Sequence, residues 1–289
     1  MFEEVNLVLA GTPIGNVGDG SPRLREALRT AEVVACEDTR RTRDLVHRLG
    51  IEITARLVAY HEHNEAAITP ELLSFARDGI RVVQVSDAGM PGISDPGFRL
   101  SQAAARAGVP FTVIPGPSAP LLALVGSGLP TDSFTFVGFL PRKPAALYHT
   151  LQTLSTRSES LIFLESPRRT IETLDAMIQV FGSGRPAALA RELTKTYEEF
   201  IRGTLESVHL ELSSRPQVLG EIVIVVQGVS AGSQADIPTQ HLDKMEQLVQ
   251  NGMKAKTAAK LIASWFGGSA NELFSAYLQG KTPNSSPSE

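Results

Sequence analysis

The sequence predicts an α/β protein built as two successive α/β domains, with a small helical module after them. Three observations carry this prediction. Short, β-branched-rich apolar runs alternate with amphipathic stretches from residue 5 to about residue 228. Glycine- and proline-rich segments fall where apolar runs end. Beyond residue 228 the composition turns small and polar, then helical. The β-α-β-α order of the first half argues for a mostly parallel, doubly wound sheet.

Taken in order, Val5–Ala10, Val33–Cys36, Leu57–Tyr60, Val82–Val85 and Phe111–Ile114 read as strands. Between them Pro22–Arg29 reads as a helix, with Ser21 as N-cap and Pro22 in the first turn. Thr39–Leu49, Thr69–Asp78 and Phe98–Ala107 read as helices stopping at Gly50, Gly79 and Gly108. These elements make a first domain over residues 1–115, and the segment PGPSAP at 115–120 sits at the boundary. In a second domain, 116–228, helices are expected at Pro120–Val125, Ala145–Leu154 and Arg169–Phe181. Strands are expected at Phe134–Phe139, Leu161–Leu164, Ala187–Arg191, Tyr197–Arg202 and Glu221–Gln227, with 197–202 antiparallel to its neighbour. Residues 229–240 read as a linker and 281–289 as a disordered tail. Between these, 241–280 form a helical extension of three helices, His241–Asn251, Lys254–Phe266 and Asn271–Gln279.

Composition narrows the function classes. With 42% hydrophobic and 20% charged residues the chain can build a core, which excludes wholesale disorder. The longest apolar runs, such as Leu121–Val125 and Ile222–Val226, are five residues, whereas a bilayer needs about 20. The N-terminal segment carries acids where a secretion signal would carry positive charge. The expectation is a cytoplasmic protein without membrane contact. A single cysteine, Cys36, excludes an intramolecular disulfide and a Cys-rich metal site. His61-Glu62-His63 lacks a further ligand at metal-site spacing, so no metal is expected. The net charge of −4 argues against a general nucleic-acid coat. It leaves room for local contacts by Arg40-Arg41-Thr42-Arg43, with His47 and Arg48 close behind.

Chemistry is concentrated in three loops. The first, Gly11 to Asp19, follows the first strand, but Pro13 breaks the G-x-G-x-x-G dinucleotide spacing. The second, Ser86 to Gly97, packs three Gly, two Pro and two Asp into twelve residues after the fourth strand. The third, Pro115 to Pro120, follows the fifth. Ligands of open α/β sheets bind just outside the carboxyl ends of strands, so the three loops outline one cleft. Neither a P-loop nor a G-x-S-x-G nucleophile elbow occurs.

The blocks LVLAGTPIGNVGD, ACEDTRRT, VSDAGMPGISDPG, VIPGPSA, GFLPRK, FLESPRR, ARELTKTYEEFIRG and GEIVIVVQG occur in this order across residues 5–228. Together they resemble the tetrapyrrole methylase family, the class III S-adenosylmethionine methyltransferases. Porphyrinogen and corrin members carry G-x-G-x-G-D and G-D-P at the first two loops. This chain has Gly11-Thr12-Pro13-Ile14-Gly15 and Ser86-Asp87-Ala88-Gly89. That departure favours the family's ribosomal-RNA branch, which methylates the ribose 2′-hydroxyl of cytidine 1402 in 16S rRNA. The resemblance implies two α/β domains with S-adenosylmethionine in the cleft between them, a homodimer, and 16S rRNA or the small ribosomal subunit as partner. Cofactor positions would fall at Ile14, Asp87, Met90, Ser118 and Ala119, and also at Glu165, Ala190 and Arg191. Two rival readings are a tetrapyrrole-precursor C-methyltransferase and a non-catalytic ribosome-binding protein on the same fold.

A ribose hydroxyl is a poor nucleophile, so a proton acceptor helps. Glu37 or Asp38, at the end of the second strand, would serve, although Asp38 or Thr39 would equally cap the following helix. Arg40 and Arg41 would hold flanking phosphates. Lys195 would lower the hydroxyl's pKa or pair a phosphate, or be a solvated loop charge. Arg168 and Arg169 open a helix, where positive charge opposes the dipole unless an anion is near. They are read as phosphate contacts. His61, beside His63, would stack on or hydrogen-bond RNA.

Overall fold

A computed structural model of the chain describes residues 5–229, 239–266 and 270–279. Most of the expected linker and all of the expected tail at 281–289 lie outside the described residues. The strands β1 (Leu7–Ala10), β2 (Val33–Cys36), β3 (Arg56–Ala59), β4 (Val82–Val85) and β5 (Phe111–Ile114) form one parallel sheet in the order β3-β2-β4-β1-β5. Every residue of β1, β2 and β4 is buried, as a parallel sheet covered on both faces requires. Helices α1 (Pro22–Thr30) and α2 (Thr39–Arg48) bring Leu24, Leu28 and Val46 against Val8, Val34 and Val83 on one face. On the other face, α3 (Glu65–Arg77) and α4 (Phe98–Arg106) bring Leu72, Leu73 and Leu100 against Leu7, Leu9 and Val33. Alternate residues of one strand thus feed two cores.

Local signals explain the boundaries. The Ser21 hydroxyl accepts the Leu24 N–H at the start of α1. After the helices, Gly50, Gly79 and Gly108 take φ of +66°, +87° and +64°, the left-handed conformation that stops a helix. One start differs from expectation: α3 begins at Glu65 and holds Pro70 inside it. Its first turn is secured from outside, because Glu65 pairs with Arg99 at 2.8 Å and the Tyr60 hydroxyl meets Thr69 Oγ1 at 2.9 Å.

The chain leaves the first sheet at Ile114 and continues through α5 (Ala119–Ser127), β6 (Phe134–Phe139), α6 (Pro144–Leu154), β7 (Ser160–Glu165) and α7 (Thr170–Phe181). It then forms β8 (Pro186–Arg191), β9 (Glu199–Thr204), α8 (Leu205–Ser213) and β10 (Ile222–Val226). The second sheet runs β6-β7-β10-β8-β9, parallel only between β6 and β7. The last strand in sequence, β10, is therefore the middle one, and it is wholly buried. Helix α8 was not foreseen. Its start is held by reciprocal hydrogen bonds between Thr204 and Ser207, a weak sequence signal because serine stands where glutamate or glutamine marks a capping box. Both sheets belong to one compact unit, Met1–Gly228, and Ile14 from the first half shares a core with Ala123, Leu124, Ile162 and Val223.

A separate unit, Val229–Glu289, holds α9 (Thr239–Gln250), α10 (Ala255–Phe266) and α11 (Ala270–Gln279). These pack around Met245, Ala259, Ile262, Leu273 and Tyr277. Among the described residues no helix is long and apolar enough to cross a membrane.

Candidate active site

The strands β4, β1 and β5 are neighbours, so the three glycine-rich loops leave one edge of the sheet side by side. They are stitched backbone to backbone. The Thr12 N–H donates to the Gly89 carbonyl at 2.9 Å, Gly89 N–H returns to Thr12 O at 3.1 Å, and Gly11 N–H donates to Ile114 O at 3.0 Å. Glycine is required at two of these contacts. A Cβ on Gly11 would stand 2.6 Å from Met90 Sδ and 2.7 Å from Gly116 Cα, and one on Gly116 would stand 2.7 Å from Gly11 Cα.

A cavity of about 420 Å³ opens where the loops meet. Ile14 comes from the first loop, Asp87, Met90 and Asp95 from the second, and Ser118 and Ala119 from the start of α5. Glu37 from the end of β2 and Arg41 from α2 form a further wall. The second sheet completes it with Phe136 and Phe139 of β6, Leu164 and Glu165 of β7, and Ile222 and Val223 of β10. Six of the eight positions that the family resemblance assigns to the cofactor thus line one cavity.

Ala190 and Arg191 do not. Strand β10 stands between β7 and β8, and Val223 and Ile222, which pair with Ala190 and Arg191, take the wall instead. Ala190 is buried in the core with Ile14 and Ala123. The Arg191 Nε donates to Glu199 at 2.9 Å. Arg215 holds Glu199 from the other side at 2.7 Å, and the hydrogen bonds from the two guanidiniums, Arg215 foremost, bring that carboxyl down to about 2.

The two carboxylates that end β2 divide. Asp38 is the N-cap of α2, accepting the Arg40 N–H at 2.8 Å and pairing with the Arg40 guanidinium at 2.9 Å. Those hydrogen bonds hold its carboxyl well below the usual range, and it is not among the lining residues. A carboxylate so stabilised is a poor proton acceptor. Glu37 does face the cavity. Burial pushes its carboxyl up, the neighbouring Asp87 charge adds to this, and the Asp87 backbone N–H and Arg41 oppose it. Asp87 itself accepts the Asp38 N–H at 3.1 Å and the Arg41 guanidinium at 3.0 Å.

Lys195 lies behind the wall. Its stem packs where a Cβ on Gly15 would go, and its Nζ is 2.9 Å from Glu192 and 3.2 Å from Glu221, of which Glu221 lines the cavity. Burial alone would lower the ammonium's pKa, but its bond to Glu192 and the charge of Glu221 raise it overall. It is a paired cation and does not reach the cavity.

Among the expected RNA contacts, Arg40 and Arg41 stand exposed at the rim, with 86% and 72% of their side chains open to solvent. Arg168 is also exposed. Arg169 is not available: its guanidinium donates to the carbonyls of Leu140 at 3.2 Å and Pro141 at 2.9 Å. It also lies 3.6 Å from Glu165. The anion that makes arginine tolerable at the start of α7 is this internal carboxylate, only 3% exposed, which also accepts from Thr173 Oγ1 and the Ser166 N–H, each at 2.7 Å. His61 sits at the end of β3 outside the cavity lining, its ring edge-on to His63 at 5.9 Å.

The residue that sequence reasoning passed over is Asp95. It lines the cavity, and burial, reinforced by the charge of Glu37, pushes its carboxyl up to about 7. The available signal was its place as the second aspartate of a loop too rich in Gly and Pro for regular structure. Apolar walls with several carboxylates suit a flat, amphipathic ligand bearing positive charge, and the arginine rim suits an anionic polymer.

Comparison with known proteins agrees with this architecture. Residues 6–209 match the profile of the tetrapyrrole (corrin/porphyrin) methylases. The chain is 43% identical over 284 residues to the ribosomal RNA small subunit methyltransferase I of Mycobacterium tuberculosis (strain H37Rv), covering 98% of each chain. It is 43% identical over 278 residues to the protein of that name from Mesorhizobium japonicum, covering 96% of this chain and 93% of the relative. Among solved structures, the methyltransferase CobJ matches with a TM-score of 0.59 at 21% identity, covering 78% of this chain and 95% of that one. Uroporphyrin-III C-methyltransferase from Thermus thermophilus, complexed with S-adenosylhomocysteine, matches with a TM-score of 0.53 at 20% identity, covering 76% and 96%. The structural matches establish a shared fold. Together with the profile match and the near full-length identities, they show that this chain belongs to the tetrapyrrole methylase family.

Proposed function

We propose that this protein is an S-adenosylmethionine-dependent methyltransferase acting in the cytoplasm on the ribose 2′-hydroxyl of cytidine 1402 in 16S rRNA. The observation that carries it is the junction of two surfaces: Glu37 faces the cavity, and four residues along the chain Arg41 both lines it and opens onto an exposed basic start of α2. The naming of full-length relatives as ribosomal RNA small subunit methyltransferase I supports the substrate class. The cavity fits the cofactor by its donor set, with apolar walls for an adenine and carboxylates for a sulfonium and an ammonium. When bound, the cofactor supplies a methyl group activated by positively charged sulfur. The protein's part is alignment and exclusion of water. Glu37 places negative charge beside the acceptor hydroxyl, Arg40 and Arg41 hold the flanking phosphates, and Ile14, Met90 and Ala119 dry the reaction path. Recognition by a few placed arginines agrees with the net charge of −4.

The test is tritiated methyl transfer to purified small subunits and to naked 16S rRNA from a strain lacking the enzyme, with the labelled nucleotide mapped by mass spectrometry. The expected product is 2′-O-methylcytidine at position 1402. Label in a porphyrinogen but not in RNA would replace this function with tetrapyrrole-precursor C-methylation. Subunit binding without transfer to any substrate would make the protein a non-catalytic ribosome binder.

The reading includes a homodimer. Leu121 and Val125, one turn apart on α5, are exposed, as is Val113 on the edge strand β5. Exposed apolar side chains on a helix and on an edge strand are of the kind an interface covers. Light scattering is expected to give twice the chain mass of 31.0 kDa, and V125K to return it to one.

A further inference from the structure

Asp95 is held in place more firmly than a solvated loop aspartate needs to be. The residue before it, Ser94, takes φ +60°, which costs a non-glycine residue energy. The carbonyl after it, on Pro96, accepts the Gly92 N–H and the Gln84 Nε2, each at 3.1 Å. Gln84 is a fully buried amide on the otherwise apolar strand β4, and its Oε1 finds no hydrogen-bond donor. A buried polar group is expensive to keep unless its position matters. Next comes Gly97 at φ +137°, where a Cβ would stand 2.9 Å from that same Oε1. Ser94, Pro96 and Gly97, with Gly92 and Gln84 bonded to Pro96, thus fix the backbone that presents Asp95 to the cavity.

The charged groups around it come from every neighbouring element. Glu37 ends β2, Asp87 belongs to the same loop, Glu165 ends β7 and Glu221 precedes β10. Arg41 of α2 is the cation in the lining, and it is bound to Asp87. Among the described residues no lysine or arginine pairs with Asp95. The Ser86 hydroxyl favours its ionised form, against burial and the charges of Glu37 and Asp87.

We propose that Asp95, held at the cavity wall, receives the proton of the acceptor hydroxyl. This rests on the reading of the site as a ribose 2′-O-methyltransferase and deepens it. In the step, the hydroxyl oxygen bonds to the methyl carbon as the carbon–sulfur bond breaks, with its electron pair going to sulfur. The O–H proton passes to a carboxylate oxygen of Asp95 and from there to water. A carboxyl that titrates near neutrality suits this exchange, since it is free to accept at pH 7 and returns the proton readily.

The test compares full-length wild type, D95N and E37Q. Three quantities are read: single-turnover methyl transfer to the small subunit against pH, affinity for S-adenosylhomocysteine by calorimetry, and carboxyl titration in the free protein by carbon-13 NMR. The wild-type rate is expected to rise through about pH 7, matching a resonance that D95N lacks. D95N is expected to lose about 100-fold in rate along with that limb, while its S-adenosylhomocysteine affinity stays unchanged. E37Q is expected to move both the limb and the resonance to lower pH, because a negative neighbour is gone. An unchanged D95N rate profile would overturn the proposal. So would loss of S-adenosylhomocysteine binding in D95N, which would make Asp95 a cofactor ligand. Wild-type protein that methylates no RNA would bring down the function and the proton acceptor together, whereas active wild type beside an unaffected D95N removes only the latter.

Discussion

Gly116→Ala is expected to cost the protein both stability and its cofactor site. The added methyl carbon would stand 2.7 Å from the Cα and carbonyl carbon of Gly11 and 2.9 Å from its oxygen. These are backbone atoms at the end of a buried central strand, so no side-chain rotation relieves the clash. The first and third loops must part, which strains the Gly11 N–H bond to Ile114 and the paired bonds between Thr12 and Gly89. Forced overpacking of this kind costs about 1–3 kcal/mol, or roughly 3–10 °C in melting temperature for a domain of this size. Calorimetric melting and S-adenosylhomocysteine titration together check it, with both expected to fall. Gly184→Ala is the control, since a Cβ there meets nothing within 4 Å. Wild-type melting and affinity in the Gly116 variant would show that the loops are not in contact.

Arg169→Ala is expected to be the most destabilising charge removal in the compact unit, at roughly 3 kcal/mol. It strips the cation from Glu165, whose side chain is almost wholly buried, and it leaves the Leu140 and Pro141 carbonyls without their donor. Urea unfolding measures the loss. Adding Glu165→Gln should recover part of it, because the uncompensated charge disappears, and the double-mutant cycle isolates that share. RNA affinity per folded molecule should stay unchanged. Stability at the wild-type level with weakened RNA binding would mean that Arg169 reaches outward after all.

These two residues also show what the sequence discloses and what it conceals. Helix stops at Gly50, Gly79 and Gly108, the Ser21 cap and the bounds of β2, β4, β5 and β6 follow from local chemistry, so they can be read directly. The three loops were legible for the same reason, since only turns tolerate that density of glycine and proline. The far wall of the cavity was not. Which antiparallel strand lies in the middle of the second sheet depends on long-range pairing, and β10 took the place that the resemblance gave to Ala190 and Arg191 on β8. Adjacent residues posed the finest problem. Glu37 and Asp38 are equivalent on paper, and only the capping geometry of α2 turns one to the helix and the other to the cavity. The dipole argument for Arg169 correctly required an anion, but that anion was Glu165, four residues upstream.

The place of β10 has a consequence for how the protein comes into being. The first sheet has all its strands once residue 114 has been synthesised, β5 closing its edge against β1. The second sheet waits for its centre, because β7 and β8 meet only through a strand that ends at Val226. Domains fold from the N-terminal side as synthesis proceeds, and a sheet cannot close before its middle strand exists. A nascent chain therefore carries a folded first half for much of its synthesis, with its three loops in place and one side of the cavity open. It becomes able to hold a cofactor only when the ribosome has delivered Glu221, Ile222 and Val223, nearly the last residues of the compact unit.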